Sequence, residues 1–140
     1  MKRSILTVED CKALRYVITT ILNNKYSVTT VPTSFDAMQV LVSNYEADLI
    51  ILDIPSGESG NFELMEHISS SSVLKDIPVV VLSNSNDGIL KDRVLQLGAS
   101  MFFTKPFDPV FLTEQIDQLL LENVPQVIHK KRRKFNLNIF

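Results

Sequence analysis

The chain has 140 residues, 45% of them hydrophobic and 21% charged, which suits one soluble globular domain with one core and leaves no room for two ordinary domains. No apolar run approaches the roughly 20 residues that cross a bilayer, and the run at 5–8 is cut off by Glu9 and Asp10 too soon for a signal peptide. The formal charge of −2 hides an asymmetry: residues 1–128 carry nine basic and sixteen acidic residues, a formal −7, whereas Lys130, Lys131, Arg132, Arg133 and Lys134 form a basic run.

Five short apolar runs, at 5–8, 28–31, 49–52, 79–82 and 101–103, alternate with helical patterns. After the first run, Leu14, Val17, Ile18, Ile21 and Leu22 form the apolar stripe of an amphipathic helix. After the second, Ser34 is expected to cap a helix that carries Ala37, Val40 and Leu41. The third and fourth runs lack polar alternation, as central parallel strands covered on both faces do. Phe62, Leu64, Met65 and Ile68 mark the helix between them, and Leu90, Val94 and Leu97 the next, which Gly98 stops. The last helix opens at Asp108 and Pro109, a capping carboxylate followed by proline at the first helical position, and carries Leu112, Ile116, Leu119 and Leu120.

This (βα)₅ alternation predicts an α/β fold with right-handed crossovers and helices on both faces of a five-stranded parallel sheet. The doubly wound, flavodoxin-like order 2-1-3-4-5 is the expected solution, and it places a site at the carboxyl ends of strands 1 and 3. The domain is expected to occupy residues 1–124, with a flexible basic tail at 125–140. Cys11 has no partner for a disulfide or a metal site, which fits a reducing, cytoplasmic setting.

The predicted strand ends carry Glu9 and Asp10, Asp53, Ser83, and Lys105 with Pro106. An acid after a strand is ordinarily a turn former or a helix cap, but this fold brings all five polar residues to one mouth. Three converging carboxylates repel one another unless a cation is held between them, and hard oxygen ligands suit Mg²⁺ rather than zinc. Lys105 adds a compact positive charge, and Ser83 a hydroxyl able to donate to a phosphoryl oxygen. Such a set performs phosphoryl transfer, with Asp53 as nucleophile and with Glu9 and Asp10, expected to look outward from a helix start, as metal ligands.

Over residues 1–122 the sequence resembles the receiver domains of two-component response regulators, chemotaxis regulators among them. Glu9 and Asp10 resemble the acidic pair, Asp53 the phosphoacceptor, Ser83 the switch hydroxyl and Lys105-Pro106 the lysine segment; intervals of 43, 30 and 22 residues separate Asp10, Asp53, Ser83 and Lys105 in turn. The resemblance implies that a sensor histidine kinase or a phosphotransfer protein donates a phosphoryl group to Asp53 with Mg²⁺ bound, the backbone carbonyl of Pro55 being a further ligand. It implies a signalling domain rather than an enzyme, with at most self-phosphorylation and slow self-dephosphorylation. Ser83 and Phe102 would switch the face built by helix 4, strand 5 and helix 5, including residues 91–97 and 110–119. That face would meet a downstream protein target or form a homodimer.

The sequence departs from the family at three places. Proline comes early after the phosphoacceptor, at Pro55, and offers no side chain to orient a hydrolytic water, so a long-lived phosphate is expected. Asn84 stands where a small residue is usual, and Phe102 where tyrosine is common. These keep open a phosphorylation-independent pseudo-receiver. A flavin-binding reading fails because Glu9 and Asp10 would repel the phosphate, and a phosphatase of the aspartyl-phosphate type would place its nucleophile after strand 1. His67 and His129 read as surface residues. No helix-turn-helix length follows the basic run, so sequence-specific DNA binding is not expected.

Overall fold

The computed structural model describes residues 2–122; the basic run, His129 and the expected tail at 125–140 lie outside them. The order is β1 (Arg3–Val8), α1 (Lys12–Leu22), β2 (Tyr26–Val31), α2 (Ser34–Leu41), β3 (Leu49–Asp53), α3 (Gly60–Ser70), β4 (Val79–Ser83), α4 (Gly88–Gln96), β5 (Met101–Thr104) and α5 (Pro109–Glu122). The sheet is parallel in the order β2-β1-β3-β4-β5. Both the alternation and the strand order are therefore as the apolar runs predict. Among the described residues, no helix is long and apolar enough to cross a membrane.

Every residue of β3 and β4 is buried. Alternate residues feed two cores, as a pleated strand requires. Ile5, Leu49, Ile51, Val80 and Leu82 pack with Ile18 and Leu22 of α1 and with Leu112 and Ile116 of α5. Leu6, Val8, Ile50, Leu52, Val79 and Val81 pack against α2, α3 and α4 through Ala37, Phe62, Met65, Leu90 and Val94.

Two local expectations are corrected. Thr33, not Ser34, is the N-cap of α2, its side chain accepting from the Asp36 amide at 3.1 Å; with extended backbone at Thr33, Ser34 is already helical. Val17 lies on the wet edge of the α1 stripe, 37% exposed, while Ile18 and Leu22 carry the burial. The other two helix ends follow their sequence signals. Gly98 adopts a φ of 105°, a left-handed value that favours glycine, just past α4, and Asp108 Oδ1 accepts from the Val110 amide at 2.9 Å at the start of α5.

Candidate functional site

β1 releases its chain at Val8, and the Glu9 amide turns to donate to the Val31 carbonyl at 3.0 Å. This holds the first acid at the carboxyl end of the sheet. Glu9 does not look outward as expected: it is 1% exposed, and Oε2 accepts from the Cys11 amide at 3.2 Å. Asp10 is the outward one. Arg15 of α1 donates to the Glu9 carbonyl at 2.8 Å, bracing the turn. Asp53, at the end of the fully buried β3, is 6% exposed. One carboxylate oxygen from each of Glu9, Asp10 and Asp53 lies within 4.8 Å of the others.

Lys105 reaches this cluster from the end of β5. Its amide donates to the Ser83 carbonyl at 2.8 Å, which anchors it beside β4, and the Lys105–Pro106 bond is cis. Its Nζ then lies 2.9 Å from Asp53 Oδ1 and 3.0 Å from Glu9 Oε1. Among the described residues it is the one cation in ion-pair range of either acid. Three carboxylates against one ammonium leave two negative charges uncompensated, which a divalent cation on oxygen ligands would balance.

The titration behaviour follows the same arithmetic. Burial pushes the Glu9 carboxyl above its ordinary value, and the Asp53 charge adds to this, although the Lys105 hydrogen bond opposes both. Burial alone would lower the Lys105 ammonium, but hydrogen bonds and attraction from Asp53 and Glu9 outweigh it and raise it. One lysine shared by two acids gains from both, while each acid has only part of a partner.

Of the remaining expected site residues, Ser83 is fully buried and its Oγ accepts from the Ser85 amide at 3.1 Å. Phe102 is half-buried and packs against the core beneath α2, α3 and α4. Pro55 and Asn84 are exposed, and His67 is an exposed residue of α3. Sequence reasoning missed two contacts around the loop after Asp53. Asn61 Nδ2 donates to the Asp53 carbonyl at 2.6 Å. Arg93 of α4 lies over the Phe62 ring, 4.3 Å from its centroid. No spacing rule foretells either one: the first depends on the path of the loop between β3 and α3, and the second on how α4 packs beside α3.

Residues 5–117 match the family model of the response regulator receiver domain. The chain belongs to the response regulator receiver domain family. The two-component response regulator ORR3 of Oryza sativa subsp. indica is 33% identical to this receiver domain over 119 residues, 84% of this chain and 91% of that protein. ORR7 of Oryza sativa subsp. japonica is 34% identical over 117 residues, 83% of this chain, and the chain spans 56% of that protein's length. The crystal structure of the phosphorylated cyanobacterial phytochrome response regulator RcpA superposes with a TM-score of 0.75 at 29% identity, covering 89% of this chain and 97% of that one. The Mn²⁺-bound response regulator Rcp1 superposes with a TM-score of 0.70 at 25% identity, covering 84% and 91%. Receiver domains are signalling domains, generally non-enzymatic, that bind a divalent metal through such an acidic cluster and work with histidine kinases or phosphotransfer proteins.

Proposed function

We propose that this receiver domain accepts a phosphoryl group on Asp53 from a sensor histidine kinase or a phosphotransfer protein. The observation that carries this is the Lys105 ammonium seated between Asp53 and Glu9, with Asp10 completing an acid cluster left two charges short of balance. A carboxylate oxygen of Asp53 attacks the phosphorus of a phosphohistidine. The new O–P bond forms as the N–P bond breaks, and the imidazole leaves with its electron pair and takes up a proton. Lys105 neutralises charge on the phosphoryl oxygens, and the Ser83 hydroxyl donates to one of them. Glu9, Asp10, Asp53 and the Pro55 carbonyl would hold Mg²⁺, which supplies charge neutralisation for the transferred group.

Phosphorylation then draws Ser83 toward the phosphoryl group and lets Phe102 move further inward, remodelling the face of α4, β5 and α5. Ile89, Val110 and Phe111 already expose apolar surface on α4 and α5, where a downstream protein or a second copy would dock. Pro55 leaves a long-lived phosphate, which a slow decay of the purified phosphoprotein would support and a rapid one would refute. The cytoplasm is the setting proposed. The pseudo-receiver alternative is disfavoured by the full set of Glu9, Asp10, Asp53, Ser83 and Lys105. Incubation with a phosphorylated phosphotransfer protein tests the donor. Label moving from histidine to Asp53 in wild type, and not in Asp53→Asn, is expected; equal labelling of both would refute the assignment.

A further inference from the structure

β3 outlasts β1. The β1–β3 pairing ends at Val8↔Leu52, whereas the β3–β4 pairing runs on to Asp53↔Leu82. The Ile54 amide donates to the Leu82 carbonyl at 2.9 Å, toward β4. In a trans peptide the carbonyl points opposite to the amide, so the Asp53 carbonyl faces the β1 side, where no strand remains to donate to it. A buried main-chain carbonyl without a donor is costly. The Asn61 carboxamide fills that role at 2.6 Å, and because a carbonyl only accepts, the group facing it is the amide nitrogen.

Asn61 is the second residue of α3, whose start is held by Ser59 Oγ accepting from the Phe62 amide at 3.1 Å. The peptide that joins the phosphoacceptor to the loop is therefore gripped from both sides, by a strand carbonyl and by a helix side chain. Rotating it would swing the Asp53 side chain on one side and the Pro55 carbonyl on the other.

We infer that Asn61 is a positioning residue for the acid cluster: its amide fixes the Asp53–Ile54 peptide and thereby the alignment of Asp53 with Glu9, Asp10 and Lys105. The inference rests on the phosphoacceptor reading above for its bearing on phosphoryl transfer, but its effect on the cation site is independent of that reading. Partners that orient ligands without touching the metal typically change its affinity by roughly 10- to 100-fold when removed.

The test compares wild type, Asn61→Ala and Asn61→Leu, the last keeping a branched side chain of similar size and a better helix former without the donor. Mn²⁺ alone is titrated by water-proton relaxation, and the Asp53 carbonyl ¹³C shift is read in the metal-free proteins. Both variants should bind Mn²⁺ about tenfold more weakly, with a displaced Asp53 carbonyl resonance and a retained fold. Phosphorylation by acetyl phosphate should slow in parallel. Folded variants with wild-type Mn²⁺ affinity would overturn the inference, and so would a loss confined to thermal stability. If wild type binds Mn²⁺ but takes no phosphoryl group, the phosphoacceptor reading falls, and the Mn²⁺ comparison still decides the role of Asn61.

Discussion

Lys105 Nζ lies 2.9 Å from Asp53 Oδ1, a contact made between the ends of two strands, β3 and β5, with β4 lying between them. The same ammonium is shared with Glu9 at 3.0 Å. Lys105→Met therefore removes the one cation that, among the described residues, pairs with these two buried acids. Without divalent cations the variant should lose up to about 3 kcal/mol, the low end of what breaking a buried pair costs, because the lysine side chain remains 19% exposed. Added Mg²⁺ should recover part of that loss in thermal melts. A variant as stable as wild type without metal would show that the acids do not need the charge.

Asp117 of α5 gives a pH dependence with a definite sign. It accepts from Lys25 at 2.7 Å and from the Tyr26 hydroxyl, and although burial would raise its carboxyl, these bonds hold it below its ordinary 3.8. A depressed carboxyl contributes stability above its unfolded pKa and loses it as pH falls through the folded value. Wild type should melt above Asp117→Asn near neutral pH, and the difference should close as pH drops below 3.8. A difference that persists unchanged into strong acid contradicts this.

Thr7 is fully buried in β1, and its hydroxyl has no hydrogen-bond partner among the described residues. Thr7→Val replaces a desolvated hydroxyl with a methyl of the same shape. Stability measured by urea titration should rise by about 1 kcal/mol; a fall would mean that the hydroxyl is satisfied in solution.

Gly57 and Arg93 are in steric register. A Cβ at Gly57 would stand 2.5 Å from Arg93 Nη1, close enough to push the guanidinium off Phe62. Gly57→Ala and Arg93→Ala should each cost about 0.5–1 kcal/mol, the worth of an exposed cation–π contact, and the double variant should cost little more than either one. Fully additive losses would show that the two residues act separately.

The strands were legible because the runs at 49–52 and 79–82 lack polar alternation, which only two-sided burial explains. Asp53 and Ser83 were legible because each directly follows such a run, and Lys105 because it follows β5, in a fold that gathers strand ends. Glu9 is expected to look outward but is buried, and residue spacing does not separate it from Asp10: residues 5–8 are buried on both faces, so a two-residue period continues equally to either acid. Asn61 left no comparable trace. Its role depends on β3 running one residue past β1 and on a loop that brings the first turn of α3 back to the strand end, and neither follows from residue spacing.

The measurement that bears most directly on the phosphoacceptor is intact-mass spectrometry of wild type and Asp53→Asn after incubation with acetyl phosphate, with and without Mg²⁺. Wild type should gain the mass of one phosphoryl group only when Mg²⁺ is present, and Asp53→Asn should gain none. An adduct of equal yield on Asp53→Asn, or no adduct on wild type even from a phosphohistidine donor, would contradict the assignment of Asp53.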